Sequence, residues 1–242
     1  MGMKGHIYVA FGKGYDEQAA HSALAARRFS TLPICVLTNR RSGKRSKVWD
    51  KVSNVSFLEF DLTDNENRAV KTRIDEYSPY DETLYTDTDT VIQSPRFIQG
   101  FDALQDAHVA FSIDRVFRPG RKVLRLYQQA MNMFKVDLPM VVYQGGVCFF
   151  QKCQPTTEFF TLWNAYWQQF GRGREMMCLA CAAKNVIGVA IGILSREFGH
   201  PHSTIIQHFH SASAPHTDLI PKIKKNKPFD KVYGRRKWDW VD

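Results

Sequence analysis

Residues 71–92, KTRIDEYSPYDETLYTDTDTVI, carry the change of pattern that orients the rest of the chain. As far as Tyr77 they continue a polar helix that begins near Asn65 and carries Arg68, Lys71 and Arg73. Pro79 is a natural stop, because the residue before a proline is pushed out of the helical region. Thr83 to Thr86 then read as a strand that runs directly into Asp87-Thr88-Asp89. The acidic pair therefore stands at the carboxyl end of a strand, where open α/β sheets bind their ligands.

Toward the N-terminus, His6 to Phe11 (HIYVAF) read as a buried strand, Gly12 and Gly14 break it, and Asp16 to Phe29 have the Ala/Leu content of a helix. Pro33 to Leu37 form the next strand-like run and Val55 to Phe60 another. Strand, helix and strand at this spacing predict a parallel βαβ unit, with Gly12 and Thr38 on one rim. Beyond the acidic pair, Val109 to Ile113 and Val147 to Phe150 read as strands, and Glu158 to Phe170 and Glu175 to Asn185 as helices. That second half lacks regular alternation. The expectation is an α/β fold in one domain, residues 1–220, with a Rossmann-like nucleotide-binding half and a mixed central sheet flanked by helices. Residues 221–242 read as a basic, aromatic tail.

Composition bounds the function. With 44% hydrophobic and 13% aromatic residues in 242, the chain can bury a sizeable core. No run reaches the ~20 apolar residues of a membrane span, and the N-terminus lacks the apolar core of a signal peptide, so the default location is cytoplasmic. Five cysteines give no even framework. Cys178 and Cys181 sit in an Ala/Leu helix and read as packing residues in a reducing compartment. The net charge of +9 favours anionic partners, and its basic residues crowd into 40–47 and 222–237.

Two carboxylates at i and i+2 that converge as a chain turns after a strand suit a hard cation, Mg2+ or Mn2+. Such an ion bridges two phosphates of a donor and offsets charge on a departing diphosphate. An EF-hand is excluded, since Ile92 stands where its glycine belongs and Ile98 where its glutamate belongs. Asp87-Thr-Asp89-Thr-Val91 also resembles the nucleophile motif of haloacid-dehalogenase phosphatases, in which Asp87 would attack phosphate. That motif normally opens its chain, whereas here a βαβ unit precedes it. A basic nucleic-acid-binding module is a third reading, unsupported by any ribonucleoprotein motif, and no nucleic-acid partner is expected.

The stretch 71–92 resembles the basic helix, "LYLDaDt" strand and metal-binding D-x-D of the GT-A superfamily of glycosyltransferases, in particular glycogenin-like families. Val142 to Phe150 (VYQGGVCFF) are similar to that superfamily's "N-[AGS]-G-v" strand beside the donor sugar, with Gln144 in place of asparagine. Arg174 to Phe198 are similar to its "D-q-x-aL" helix, with Glu175 at the acidic position, and Ile205 to His210 to its histidine-bearing strand. The resemblance implies a hexosyltransferase-like enzyme that moves a sugar from a nucleotide-diphosphate donor, a UDP-sugar, to a hydroxyl of a glycan, lipid or protein. It implies metal ligands Asp87, Asp89 and His208, with His210 on the same face as an alternative. It implies donor contacts from Ala10, Phe11, Gly12, Thr38, Lys71, Asp87, Thr88, Gly145 and Gly146. Glu175 is implied as a base or positioning group, and Asp114 as a carboxylate for sugar hydroxyls.

Phe159, Trp163, Tyr166, Trp167 and Phe170 recur at helical spacing and read as core. The tail interleaves lysines and arginines with Phe229, Tyr233, Trp238 and Trp240, a mixture suited to peripheral contact with an anionic membrane.

Overall fold

The computed structural model describes residues 2–173 and 175–209. The chain enters on β1 (Lys4–Val9), turns into α1 (Lys13–Ala26), returns on β2 (Ile34–Thr38) and reaches β3 (Val55–Glu59) after two short 3-10 turns. Helices α2 (Asn67–Lys71) and α3 (Ile74–Tyr77) lead to β4 (Glu82–Thr86), and β5 (Thr90–Ile92) follows a tight turn. Then come β6 (Val109–Phe117), α4 (Arg125–Phe134), β7 (Met140–Gln151), α5 (Gln154–Gln169) and α6 (Glu175–Asn185). The short strands β8 (Ile191–Leu194), β9 (Phe198–His200) and β10 (Ile206–His208) complete the described elements.

Seven strands form the main sheet in the order β3-β2-β1-β4-β7-β6-β8. The first four run parallel. β7 runs antiparallel to both of its neighbours, and β8 lies parallel to β6, so the sheet is mixed as the second half's pattern predicts. A smaller sheet, β5-β10-β9, stands beside it.

Both faces of the main sheet are covered, which is why β1 is apolar at successive positions. Ile7 and Val9 join the cluster that includes Phe159, Trp163 and Trp167 of α5 and Leu179 of α6, whereas Tyr8 and Ala10 pack with Ala19, Ala20 and Ala23 of α1. The α5 aromatics are core, as their spacing predicts: Phe159, Trp163 and Trp167 are buried, and Tyr166 stacks on Phe134. Each such burial contributes roughly 1.5–3 kcal/mol. Cys178 and Cys181 are likewise buried free thiols packed into this layer.

Two elements depart from their sequence reading. The helix expected over 65–77 is broken at Thr72 and Arg73, where the Thr72 hydroxyl donates to Asn164 on α5 at 2.9 Å. Tertiary packing has overridden local propensity there. The strand expected at 147–150 begins earlier, at Met140, so Gly145 and Gly146 lie inside β7. Pairing with β6 jumps from Cys148–Phe111 to Tyr143–Ile113. Residues 144–147 thus oppose a single residue of β6, a bulge of the kind that re-aims a strand beside a functional site.

Candidate metal centre

β1, β2 and β4 end on one rim, and that rim is tied together. Ala10 N–H donates to Leu37 O, and Phe60 N–H to Thr38 O, both at 2.8 Å. Gly12, at φ 81, lets its N–H reach Asn39 Oδ1 at 2.8 Å. A Cβ at this glycine would lie 2.6 Å from Asp64 Oδ2. Asn39 in turn donates to Asp64 Oδ1 at 2.8 Å.

Asp87 leaves β4 with its N–H bonded to Gly146 O at 2.8 Å. Its carbonyl accepts the N–H and the hydroxyl of Thr90, so the chain turns at once into β5. β10 pairs with β5 so that His208 faces Thr90, and Phe209 N–H donates to Asp89 O at 2.8 Å. This register carries His208 Nε2 to 3.1 Å from Asp89 Oδ1 and 3.7 Å from Asp87 Oδ2. One ligand atom from each of Asp87, Asp89 and His208 lies within 4.8 Å of the others.

The space for this group comes from Gly146. A Cβ there would lie 2.3 Å from His208 Cε1, 2.6 Å from Nδ1 and 3.0 Å from Asp87 Oδ2. Burial works to lower the pKa of the His208 ring, but the Asp89 and Asp87 carboxylates outweigh it and raise it. Two carboxylate oxygens and an imidazole nitrogen are a donor set that fits a divalent cation such as Mn2+ or Mg2+.

A second layer neutralises the acids. Lys71 Nζ lies 2.9 Å from Asp87 Oδ1 and 3.1 Å from Glu175 Oε1. The Tyr85 hydroxyl also donates to Asp87 Oδ1, and Arg68 Nε lies 3.2 Å from Glu175 Oε2. Burial alone would lower the Lys71 pKa, yet Asp87 and Glu175 hold it above its ordinary value. For Glu175 burial alone would raise the pKa, but Lys71 and Arg68 depress it, so its carboxyl stays ionised. The Trp163 indole N–H donates to Glu175 O at 3.2 Å, which pins the start of α6 to α5.

The other residues chosen from sequence divide between rim and support. Gly12 and Gly145 offer backbone at the rim, and Gly145 has Lys71 Nζ 3.9 Å from its missing Cβ position. Ala10, Phe11 and Thr38 have fully buried side chains. The Thr38 hydroxyl donates to Ala10 O at 2.9 Å, bracing the rim from beneath. Thr88 is buried as well, its hydroxyl bonded to Gln18 of α1 at 3.0 Å. Asp114 pairs with its neighbour Arg115 at 2.7 Å. His210 and the 221–242 tail lie outside the described residues, as does the domain boundary at 220.

Tyr85, Arg68 and Tyr15 belong to this environment without having been singled out. Alternation along β4 puts Tyr85 on the face of Asp87, and the i, i+3 spacing of Arg68 and Lys71 puts both on one face of α2. Tyr15, in the first turn of α1, has its hydroxyl pKa raised by burial, with Arg68 opposing and the Asp89, Asp87 and Glu175 carboxylates adding to the rise. A tyrosine three residues after a strand-ending glycine carries no comparable signal.

No protein-family model and no curated protein matches the chain in sequence. Solved structures do match in fold. The galactosyltransferase LgtC, in complex with donor and acceptor sugar analogues, superposes with a TM-score of 0.62 at 15% identity, over 90% of this chain and 91% of that one. The glycosyltransferase GlyE of Streptococcus pneumoniae TIGR4 gives 0.57 at 12% identity, over 89% of this chain and 57% of that one. Mouse xyloside xylosyltransferase 1 gives 0.56 at 10% identity, over 88% and 99%. Likeness at such identities is one of architecture, and the chain has the GT-A fold that these glycosyltransferases share.

Proposed function

We propose that the chain is a metal-dependent glycosyltransferase that moves a sugar from a nucleotide-diphosphate donor, a UDP-sugar, to a hydroxyl acceptor. The observation that carries this reading is the convergence of Asp87, Asp89 and His208 at the carboxyl end of β4, beside the parallel strands β1 and β2. A bound Mn2+ or Mg2+ would supply Lewis-acid stabilisation of the departing diphosphate.

The chain's own residues set the stage for that chemistry. Asp89 offers a carboxylate to the metal, while Asp87 offers Oδ2, because its Oδ1 is held by Lys71 and Tyr85. The corner formed by Gly12, Asn39 and Asp64 supports the nucleoside, and Lys71 and Arg68 supply positive charge toward the diphosphate. Glu175 serves as a positioning group: a carboxylate clamped by two cations and held ionised holds Lys71 and Arg68 in place and is a poor proton acceptor. The bulge in β7 leaves room for the donor sugar beside Gly145 and Gly146. The free cysteines suit a reducing compartment, and we place the protein in the cytoplasm. Among the described residues no helix is long and apolar enough to cross a membrane.

A thermal-shift screen of nucleotide sugars with and without Mn2+ tests the reading. Stabilisation by one donor only in the presence of metal is the expected result, since a ligand that binds the folded state alone raises its apparent stability. Covalent phosphate on Asp87 after incubation with phosphomonoesters, with no response to nucleotide sugars, would replace this reading with the phosphatase one.

A further inference from the structure

A cavity of about 290 Å³ opens on the other side of the first turn of α1, lined by Lys13, Asp16, Glu17 and residues 44–48. Its wall is the basic loop that follows β2, and that loop is braced from within. Arg40 Nε donates to Lys44 O at 3.2 Å, and Arg45 Nε donates to Arg40 O at 3.1 Å. Arg45 also pairs with Glu59 and lies 3.8 Å over the Phe57 ring. Asp16 closes the base, accepting Ser46 N–H at 2.6 Å and the Trp49 indole N–H at 3.0 Å.

The charges in this structure have different tasks. The guanidiniums of Arg40 and Arg45 and the carboxylate of Asp16 are used to hold the loop's shape. Lys13, Lys44 and Lys47 are exposed at the cavity and form no ion pair among the described residues. Glu17 is the remaining acidic group in the lining. Three free ammoniums around a braced hollow attract anions, and a volume near the lower end of the range for small-molecule pockets, about 300 Å³, admits a group the size of a sugar phosphate. Successive residues on a helix point about 100° apart, so Asp16, which faces the loop, and Tyr15, whose hydroxyl feels the Asp89, Asp87 and Glu175 charges, look to different sides of α1.

We infer that this cavity is a second, anion-binding site that takes a sugar phosphate. The exposed lysines around the braced loop carry the anion, and the volume of the hollow carries the sugar.

The Ser46 amide and the Trp49 indole N–H, both anchored on Asp16, are built-in reporters. The full chain, labelled with ¹⁵N and kept in a chelator so that no metal can hold phosphate, is titrated with glucose 6-phosphate, inorganic phosphate and glucose. The expected result is a saturable shift of both reporters by glucose 6-phosphate, weaker binding of inorganic phosphate, and no shift with glucose. The double variant Lys44→Ala/Lys47→Ala, altered only at exposed side chains, should bind glucose 6-phosphate at least about tenfold more weakly. It should still bind UDP with Mn2+ as the parent chain does. Shifts that never saturate, or that are the same in the double variant, overturn the anion site. Inorganic phosphate binding as tightly as the sugar phosphate overturns its assignment to a sugar phosphate. Failure of the parent chain to bind UDP with Mn2+ sinks the donor reading and is scored separately from the reporter shifts.

Discussion

Lys71 and Asp87 form an ion pair, Nζ to Oδ1 at 2.9 Å, with the lysine side chain 7% exposed and the aspartate 23%. The same ammonium holds Glu175, so one cation supports two acids from elements that are distant in sequence. Removing it leaves two partly buried carboxylates with only Arg68 on Glu175 and the Tyr85 hydroxyl on Asp87 to offset them. Lys71→Met is expected to lower unfolding stability by about 3 kcal/mol, the scale for breaking a buried pair from one side, whereas Lys71→Arg should recover most of it. Urea midpoints of the three proteins check this, and a Lys71→Met midpoint equal to the parent's would show that the pair contributes nothing.

Gly146 is a packing requirement of the metal centre. Its Cβ in Gly146→Ala would meet the His208 ring at 2.3 Å, so the ring must rotate or β10 must shift. The expected outcome is a stability loss of about 1–3 kcal/mol, as for overpacked sites, together with Mn2+ affinity reduced by about tenfold or more. Calorimetric Mn2+ titration beside a melting curve separates the two effects. Unchanged metal affinity would mean that His208 is not a ligand.

The two aspartates should differ in kind. Asp87 is both a candidate ligand and the partner of Lys71 and Tyr85, while the Asp89 carboxylate meets His208 and its carbonyl accepts the Phe209 N–H. Asp89→Asn is therefore expected to cost more than about 100-fold in Mn2+ affinity, beyond the 10–100-fold typical of outer partners, with little change in stability. Asp87→Asn should lower both. Equal melting temperatures for the two variants would refute this division of labour.

Much of this was legible in the sequence for a physical reason. A strand that ends on Asp87-Thr88-Asp89 and is preceded by a βαβ unit can place its acids only at the rim, and a histidine on a late strand needs only one pairing register to reach them. What was not legible depends on three-dimensional packing. The break at Thr72 follows from a hydrogen bond to Asn164, 92 residues away. The bulge that lifts Gly145 and Gly146 out of register depends on the partner strand β6. Thr38 and Thr88 are donor contacts that the family resemblance implies, and packing uses both hydroxyls internally. Glu175 was recognisable as an acid but not as the partner of Lys71 and Arg68, which lie more than a hundred residues earlier.

His6 contributes an acid sensitivity to the fold. It is buried on β1, with its Nε2 2.8 Å from the Thr86 hydroxyl, and burial, followed by the Arg27 charge, pushes its pKa down to about 3. The native ring is thus neutral through the range in which the unfolded one, near 6.5, takes up a proton. Between those values the unfolded state binds more protons, so stability is full above about pH 6.5 and falls as the pH drops toward 3. At 1.36 kcal/mol per unit, the His6 contribution to the loss between pH 7 and pH 5 is roughly 2 kcal/mol. His6→Gln removes the titration while keeping a polar group near Thr86, so its urea midpoint should fall less over the same interval. Parallel pH profiles for parent and variant would assign the acid sensitivity to other groups, and a steeper profile for the variant would reverse the sign argued for His6.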